Sequence, residues 1–188
     1  MQSPSSRAVD ELIYREPHTL LKQRGFRKSA RTFWRETNGL FELVAFETSR
    51  WNRPEEARVT VSVGLTLRGF HEAWTGSDFP RNPGSGARVL SERLGLLTPE
   101  GKDRWWTLTP TMPLEQPAAE VATLLDEHGL PFIERFDSLE AVLEHACAEE
   151  SPRGVHHHPK VVRAILQCLS GQQAEAACTL RELIASSK

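Results

Sequence analysis

Cysteine is scarce in this sequence, and its scarcity excludes a fold held together by disulfides. Among 188 residues there are three cysteines, Cys147, Cys168 and Cys178. An odd count without a C-x-x-C spacing does not match the disulfide framework of a small secreted protein. Because all three lie in sequence with helical periodicity, we expect reduced, buried thiols.

Long apolar runs and a strong net charge are also missing. No stretch approaches the roughly 18 apolar residues that a membrane-spanning helix needs, and the polar segment 1–7 lacks the apolar core of a signal peptide. We therefore expect a cytoplasmic protein without a membrane contact. The formal net charge of -2 excludes the overall basicity that is usual in nucleic-acid-binding proteins, so partners have to be argued from local patches.

No arrangement of residues typical of catalysis stands out. The His-Glu pair at 71–72 begins like a metalloprotease motif but lacks the second histidine at helical spacing. Gly-Ser-Gly at 84–86 fits neither a phosphate loop nor a nucleophile elbow. The consecutive histidines at 156–158 do not have the spacing that lets imidazoles converge on one metal. The sequence thus predicts no metal and no cofactor, and it lowers the expectation of an enzyme.

The chain begins with a helical pattern and continues with strand patterns. A helical stripe ends at Gly25 and contains Pro17, which predicts a kinked helix or two short helices. Asn38-Gly39 lies between two runs of aromatic and β-branched residues and predicts a hairpin. Strict alternation over 59–67 predicts a further strand with one face in the core and the other in solvent or under a light cover. The predicted strands are 32–37, 40–50, 59–67, 88–94 and 103–109.

Helical patterns dominate the remainder of the chain. Asp137 with Glu140 resembles a capping box at the start of one helix. A C-terminal helical hairpin is predicted over 159–169 and 172–186, with Leu180, Leu183 and Ile184 among the residues of its seam. The predicted class is α+β, with a mostly antiparallel sheet of four or five strands, an N-terminal kinked helix and the C-terminal hairpin. We expect an α+β domain over 1–151 and the hairpin, residues 152–188, packed on the same domain.

A segment rich in glycine and proline, 68–87, carries Phe70, Trp74 and Phe79. Segments of this length without regular structure are functional loops or are packed by their own side chains. We favour a lid packed over the sheet, because several exposed aromatic side chains would form a hazardous patch. The alternative is a binding loop, in which these aromatic residues contact a partner or ligand.

Charge is strongly polarised along the chain. Six basic and no acidic residues lie in 22–35, whereas 115–151 holds ten acidic residues and one arginine. The favoured interpretation of the basic segment is a solvated or internally paired face, with Arg31 and Arg35 as candidate anion anchors if it binds a ligand. The acidic segment is either a solvated helix face or a surface complementary to a basic partner, with Glu140 and Glu144 as candidate contacts.

The stretch 21–35 contains Gly-Phe-Arg-Lys at 25–28 followed by Arg-Thr-Phe-Trp-Arg at 31–35. Together with the tandem tryptophans at 105–106, it resembles the hallmark of the bacterial domain-of-unknown-function family 4304. The resemblance covers roughly the first two thirds of the chain and implies a fold more than a reaction. It also implies a suspected role of some members as immunity or interaction proteins of bacterial toxin systems.

These observations give two hypotheses for function. The leading one is a non-catalytic protein-interaction module, with immunity-like neutralisation of a bacterial toxin as its specific form and the acidic helical surface as its contact. The alternative is a small-molecule or nucleic-acid-processing enzyme or binder, with a pocket between the sheet and segment 68–87. We do not expect nucleic acid to be the partner, and the sequence does not predict an oligomeric state.

Overall fold

The computed structural model describes residues 3–148 and 152–186. The strands of this part of the chain are β1 Arg27–Ser29, β2 Thr32–Thr37, β3 Leu40–Thr48, β4 Ala57–Thr66, β5 Leu90–Arg93 and β6 Trp106–Leu108. Its helices are α1 Pro4–Tyr14, α2 Glu16–Gln23, α3 Arg68–Thr75, α4 Leu94–Leu97, α5 Glu115–Leu124, α6 Leu130–Glu134, α7 Leu139–Ala148, α8 Pro159–Leu169 and α9 Gln173–Ser186. A 3-10 turn spans Pro83–Ser85 and a π-helical turn spans Leu125–Gly129. The predicted α+β class is confirmed.

The sheet has six strands in the described part of the chain, and its order is β1-β2-β3-β4-β5. β6 pairs with β4 as well, antiparallel, with Ala57 opposite Leu108. The extra strand relative to the predicted four or five is β1, which pairs antiparallel with β2. Asn38 and Gly39 both have positive φ, 52° and 80°, as the predicted hairpin turn requires.

The N-terminal helical segment is two helices rather than one kinked helix. Helix α1 begins after Ser3, whose Oγ accepts the Ser6 N–H at 3.2 Å. The break falls at Arg15, where φ is -81° and ψ is -137°. Pro17 therefore lies in the first turn of α2, where a residue without an N–H is tolerated.

Gly25 ends α2 with a left-handed conformation, as the sequence predicts. Its φ is +82°, its N–H donates to Lys22 O at 3.1 Å, and the next N–H, of Phe26, donates to Leu21 O at 2.9 Å. This pair of bonds is the Schellman motif. Phe26 is buried directly after it, so the turn delivers the chain from α2 into β1.

The chain divides into two compact units. The first comprises the chain up to Arg35 with Leu43–Val63 and Glu92–Ile133, and the second comprises Glu36–Glu42 and Gly64–Ser91 with the chain from Glu134 onward. Helices α8 and α9 thus belong to the second unit together with segments from the middle of the chain. The boundary predicted at residue 152 stays a prediction.

The core of the first unit includes β4 and α1. Val59, Val61 and Val63 are fully buried on one face of β4. Thr60 and Ser62 on the opposite face are buried as well. The Thr60 hydroxyl donates to Arg104 O at 2.9 Å, and the Ser62 hydroxyl donates to Glu47 Oε1 at 2.7 Å. Hydroxyls with internal partners can be buried at little cost, so this face needs no solvent.

The second unit contains the predicted helical hairpin of α8 and α9, but its seam differs from the prediction. Ala176 and Thr179 of α9 are buried, and the Thr179 hydroxyl donates to Gln167 Oε1 at 2.9 Å. Leu180 and Ile184, which were predicted to lie in the seam, are 41% and 64% exposed. Because Thr179 is buried and bonded to Gln167 of α8, the side of α9 that carries these two apolar side chains faces outward.

Two further expectations concern thiols and membranes. Cys147, Cys168 and Cys178 are unpaired and exposed, so the prediction of buried thiols is wrong. Helical periodicity placed them on helices correctly but did not fix which helix face meets the core. Within residues 3–148 and 152–186, every helix is too short or too polar to cross a bilayer.

Candidate functional site

Arg31 is bound to helix α1. Its Nε donates to Asp10 Oδ1 at 2.6 Å, and its Nη2 donates to the Ser6 carbonyl at 2.9 Å and the Ser6 hydroxyl at 2.7 Å. A guanidinium with these three bonds holds the β1–β2 turn against α1. Its role as an anion anchor stays a prediction, and an anion would have to compete with Asp10.

Other cations of the basic segment also have partners inside the first unit. Arg35 lies over the Phe26 ring at 4.8 Å and donates to Arg24 O at 2.8 Å. Arg24 forms an ion pair with Asp126. Lys28 lies 4.3 Å from the centre of the exposed Tyr14 ring. The interpretation as an internally paired face is therefore confirmed for these residues, and Arg35 as an anion anchor stays a prediction.

The acidic segment divides into a paired part and an open part. In the first unit Glu115 binds Arg15 at 2.9 Å, and Asp126 binds Arg24. Glu120 binds Arg104 and also accepts the Trp106 Nε1–H at 2.9 Å. Fixed cations within the same unit thus neutralise these carboxylates, which leaves them little free charge to offer a partner. The pKa of Glu115 is lowered, chiefly by hydrogen bonding to its own backbone N–H and by the neighbouring Arg15.

The open part lies on α7, in the second unit. The helix is capped by Ser138, whose Oγ accepts the Ala141 N–H at 3.2 Å, and not by the predicted Asp137. Glu140 and Glu144 are exposed one helical turn apart. In the described part of the chain, no ion pair or hydrogen bond holds either carboxylate. Two like charges at this spacing repel each other by a few tenths of a kcal/mol, so a cation that binds both is favoured.

The aromatic segment 68–87 begins with a helix, which the sequence did not predict. A Cβ at Gly69 would lie 2.6 Å from Leu169 Cδ2, so α3 packs closely on α8 at this glycine. Phe70 is fully buried and stacks on Trp74 with an angle of 8° between the rings. Trp74 is half-buried, with the His157 ring 4.1 Å away.

The second part of this segment packs on β3 and on α3. Phe79 stacks on Phe41 of β3 at 5.1 Å and contacts His71 edge-on at 5.6 Å. His71 is buried, and its Nδ1 accepts the Ala87 N–H at 2.9 Å, which closes the segment on itself. These contacts support the lid interpretation of 68–87. Phe70, Trp74 and Phe79 as partner-binding residues stay a prediction.

A small cavity lies beside the end of this lid. It measures about 310 Å³ and is lined by Ala87, Arg88, Ser91, Gly154, His156 and His157. The Arg88 guanidinium donates to Ser91 Oγ at 3.1 Å. Burial lowers the pKa of His157 more than its hydrogen bond to the Arg88 backbone raises it. The His157 ring, which is tilted 35° to the Trp74 ring, forms part of one wall of this cavity.

Metal ligands do not assemble in the part of the chain that the structure describes, because no three histidine, cysteine or acidic side chains converge there. A different surface of the first unit carries Trp51, which is 77% exposed, and Arg58, which lies 5.4 Å from the Trp105 ring. The signal in the sequence was the tryptophan itself, because Arg58 and Trp105 meet from segments that are far apart in the chain.

Comparison with known proteins gives a family but no function. The family model described as domain of unknown function DUF4304 matches residues 18–135, more than half of the chain. This range contains the basic segment, the sheet and the lid, whereas α7, α8 and α9 follow it. No curated protein and no solved structure matches the chain.

Proposed function

The chain belongs to the domain of unknown function family DUF4304, and from this premise we propose that it is a non-catalytic protein-interaction module that binds a cationic partner through the acidic face of α7. This face consists of Glu140 and Glu144. The observation that carries the proposal is the contrast between these two exposed carboxylates and the paired carboxylates of Glu115, Glu120 and Asp126.

The position of the face after the matched residues 18–135 is consistent with a partner-specific role. Charge on a rigid helix steers the approach of an oppositely charged protein and mainly raises the association rate. In its specific form the partner is a cationic bacterial toxin that the chain neutralises. The Phe79 ring stacks on Phe41 of β3, and the cavity of about 310 Å³ beside the end of the lid is lined by residues from 87–91 and 154–157, so the alternative of a ligand pocket between the lid and β3 has less support.

The test begins with capture from a lysate of the source organism on two baits, the wild-type chain and the Glu140→Lys/Glu144→Lys variant. A basic protein retained by the wild type alone is then purified, and its association is followed by stopped-flow fluorescence at increasing salt. We expect a slower association for the variant and a steep loss of the wild-type rate with salt. An association rate that is the same for both baits would refute the proposal.

The matched control is Glu36→Lys/Glu175→Lys, which changes the net charge equally at two exposed sites outside α7. This control should bind like the wild type. The immunity-like form is tested separately by expressing the captured protein in cells. Growth arrest that the wild-type chain relieves, and that the α7 variant does not relieve, supports it; a partner that does not affect growth contradicts it.

A further inference from the structure

The turn between β3 and β4 exposes a tryptophan almost completely. Trp51 is 77% exposed, more than any other large apolar side chain in the described residues. Single exposed leucines are common on protein surfaces, but tryptophan is the residue most enriched in the energetic centres of protein interfaces. Trp51 is therefore a candidate interface residue.

The turn that carries Trp51 is rigid. The Asn52 side chain accepts the Arg58 N–H at 2.8 Å, which fixes the turn to β4. The Ser5 hydroxyl donates to Arg53 O at 2.7 Å, which fixes the turn to the N-terminus of α1. The Trp51 N–H donates to Ser49 Oγ at 3.2 Å. A side chain on a backbone held at these points loses little conformational entropy on binding.

Arginines lie over the aromatic rings around this turn. Arg50 lies 5.0 Å from the centre of the Trp51 ring, and Arg58 lies 5.4 Å from the Trp105 ring. The Trp105 ring also has Arg93 over it at 5.2 Å, and Arg93 is paired with Asp103. The Ser49 N–H donates to Arg58 O at 3.0 Å, so Ser49 lies opposite Arg58. Arg50 is the next residue after Ser49.

The two unpaired arginines can bind carboxylates. In the described part of the chain, neither Arg50 nor Arg58 forms an ion pair. The N–H donors of a guanidinium lie in the plane of the group, so its face can contact an aromatic ring while its edge binds a second group. This edge matches the two oxygens of a carboxylate, and the match is lost when lysine replaces arginine.

We propose that Arg50, Trp51 and Arg58, named here the Trp51 surface, bind an acidic segment of another protein, with the indole in an apolar pocket of the partner and carboxylates on the two guanidinium groups. This surface is distinct from α7 and has the opposite charge preference. Nucleic acid fits less well, because Arg58 and Arg93 already lie over the Trp105 ring, and the Trp51 ring alone offers too few stacking contacts.

The test selects peptides from a random phage-displayed library on the immobilised full chain and measures their affinity by fluorescence anisotropy. We expect selected peptides that combine acidic and apolar residues and bind less tightly at high salt. Trp51→Ala should weaken binding at least about tenfold, and Arg50→Lys or Arg58→Lys should weaken it several-fold. Tyr14→Ala removes an aromatic side chain that is 61% exposed in the same unit and should leave binding unchanged.

Two results overturn the inference. One is that the library yields no peptides, or yields peptides that bind Trp51→Ala as tightly as the wild type. The other is that the surface has a different occupant. If a fluorescent oligothymidylate binds the wild type but not Trp51→Ala, the occupant is nucleic acid. If sedimentation shows that the wild type self-associates and Trp51→Ala does not, the occupant is a second copy of the chain. Equal thermal melting of wild type and Trp51→Ala is expected from the exposure of the side chain and excludes misfolding as the cause.

Discussion

Replacing Gly25 by alanine tests the turn between α2 and β1. The φ of Gly25 is +82°, and an added Cβ would meet nothing within 4 Å. Any loss of stability in Gly25→Ala therefore comes from backbone strain and not from a steric clash. The turn positions Phe26 in the core and precedes Arg31, which binds Asp10 of α1.

The magnitude follows from two opposing contributions. A left-handed conformation costs a non-glycine residue roughly 1–2 kcal/mol. Alanine also lowers the conformational entropy of the unfolded chain, which returns about 0.4–1 kcal/mol. The net expectation is a loss of about 1 kcal/mol in the free energy of unfolding, and a fall in Tm of about 2–4 °C for a chain of this size.

The measurement is urea unfolding followed by circular dichroism, with calorimetry for Tm. Gly25→Asn is the control, because asparagine tolerates positive φ better than alanine and should lose less stability. If Gly25→Ala is as stable as the wild type, or if Gly25→Asn loses more than Gly25→Ala, the left-handed turn does not contribute as described.

Two other predictions concern the lid and its histidine. Hydrogen exchange should show that the amides of Phe70, His71 and Ala87 are protected. The His71 N–H donates to Leu67 O, the Ala87 N–H donates to His71 Nδ1, and Phe70 is buried. Exchange as fast as in an unstructured peptide would contradict the lid. Burial lowers the pKa of His157 below its value in the unfolded chain, so the unfolded chain takes up this proton first as the pH falls. Stability should therefore decrease as the pH drops through about 6.5 and stop decreasing below the folded-state pKa. His157→Phe should flatten this part of the profile of urea midpoint against pH, and equal slopes in both proteins would contradict the assignment.

The features that were predicted correctly are those set by residues adjacent in the sequence. Gly25 and Asn38-Gly39 specify positive φ where the backbone needs it, and the alternation along 59–67 specifies a strand. The helix α3 was missed because the glycine and proline content of 68–87 indicates a loop, whereas Gly69 lies where α3 packs closely on Leu169 of α8. Close approach of two helices leaves no mark in the local sequence.

The candidate sites could be predicted only in part. The excess of acidic residues in 115–151 was visible, but not its division into the paired Glu115, Glu120 and Asp126 and the open face of α7. Likewise, the arginines of 22–35 were visible as a basic segment, whereas their acidic partners Asp10 and Asp126 lie on α1 and on the π-helical turn after α5.

The sequence by itself determined the α+β class, the turns and the family, because these follow from periodicity, glycine conformation and a local motif. The tertiary structure decided which charges are neutralised, which face of α9 is buried and why Trp51 stands exposed on a rigid turn. Those outcomes depend on which distant side chains meet: Ser5 reaches the turn of Trp51 across 48 positions of the chain, and Arg24 reaches Asp126 across 102. Pairings at such separations are set by packing of the elements, and no local pattern encodes them.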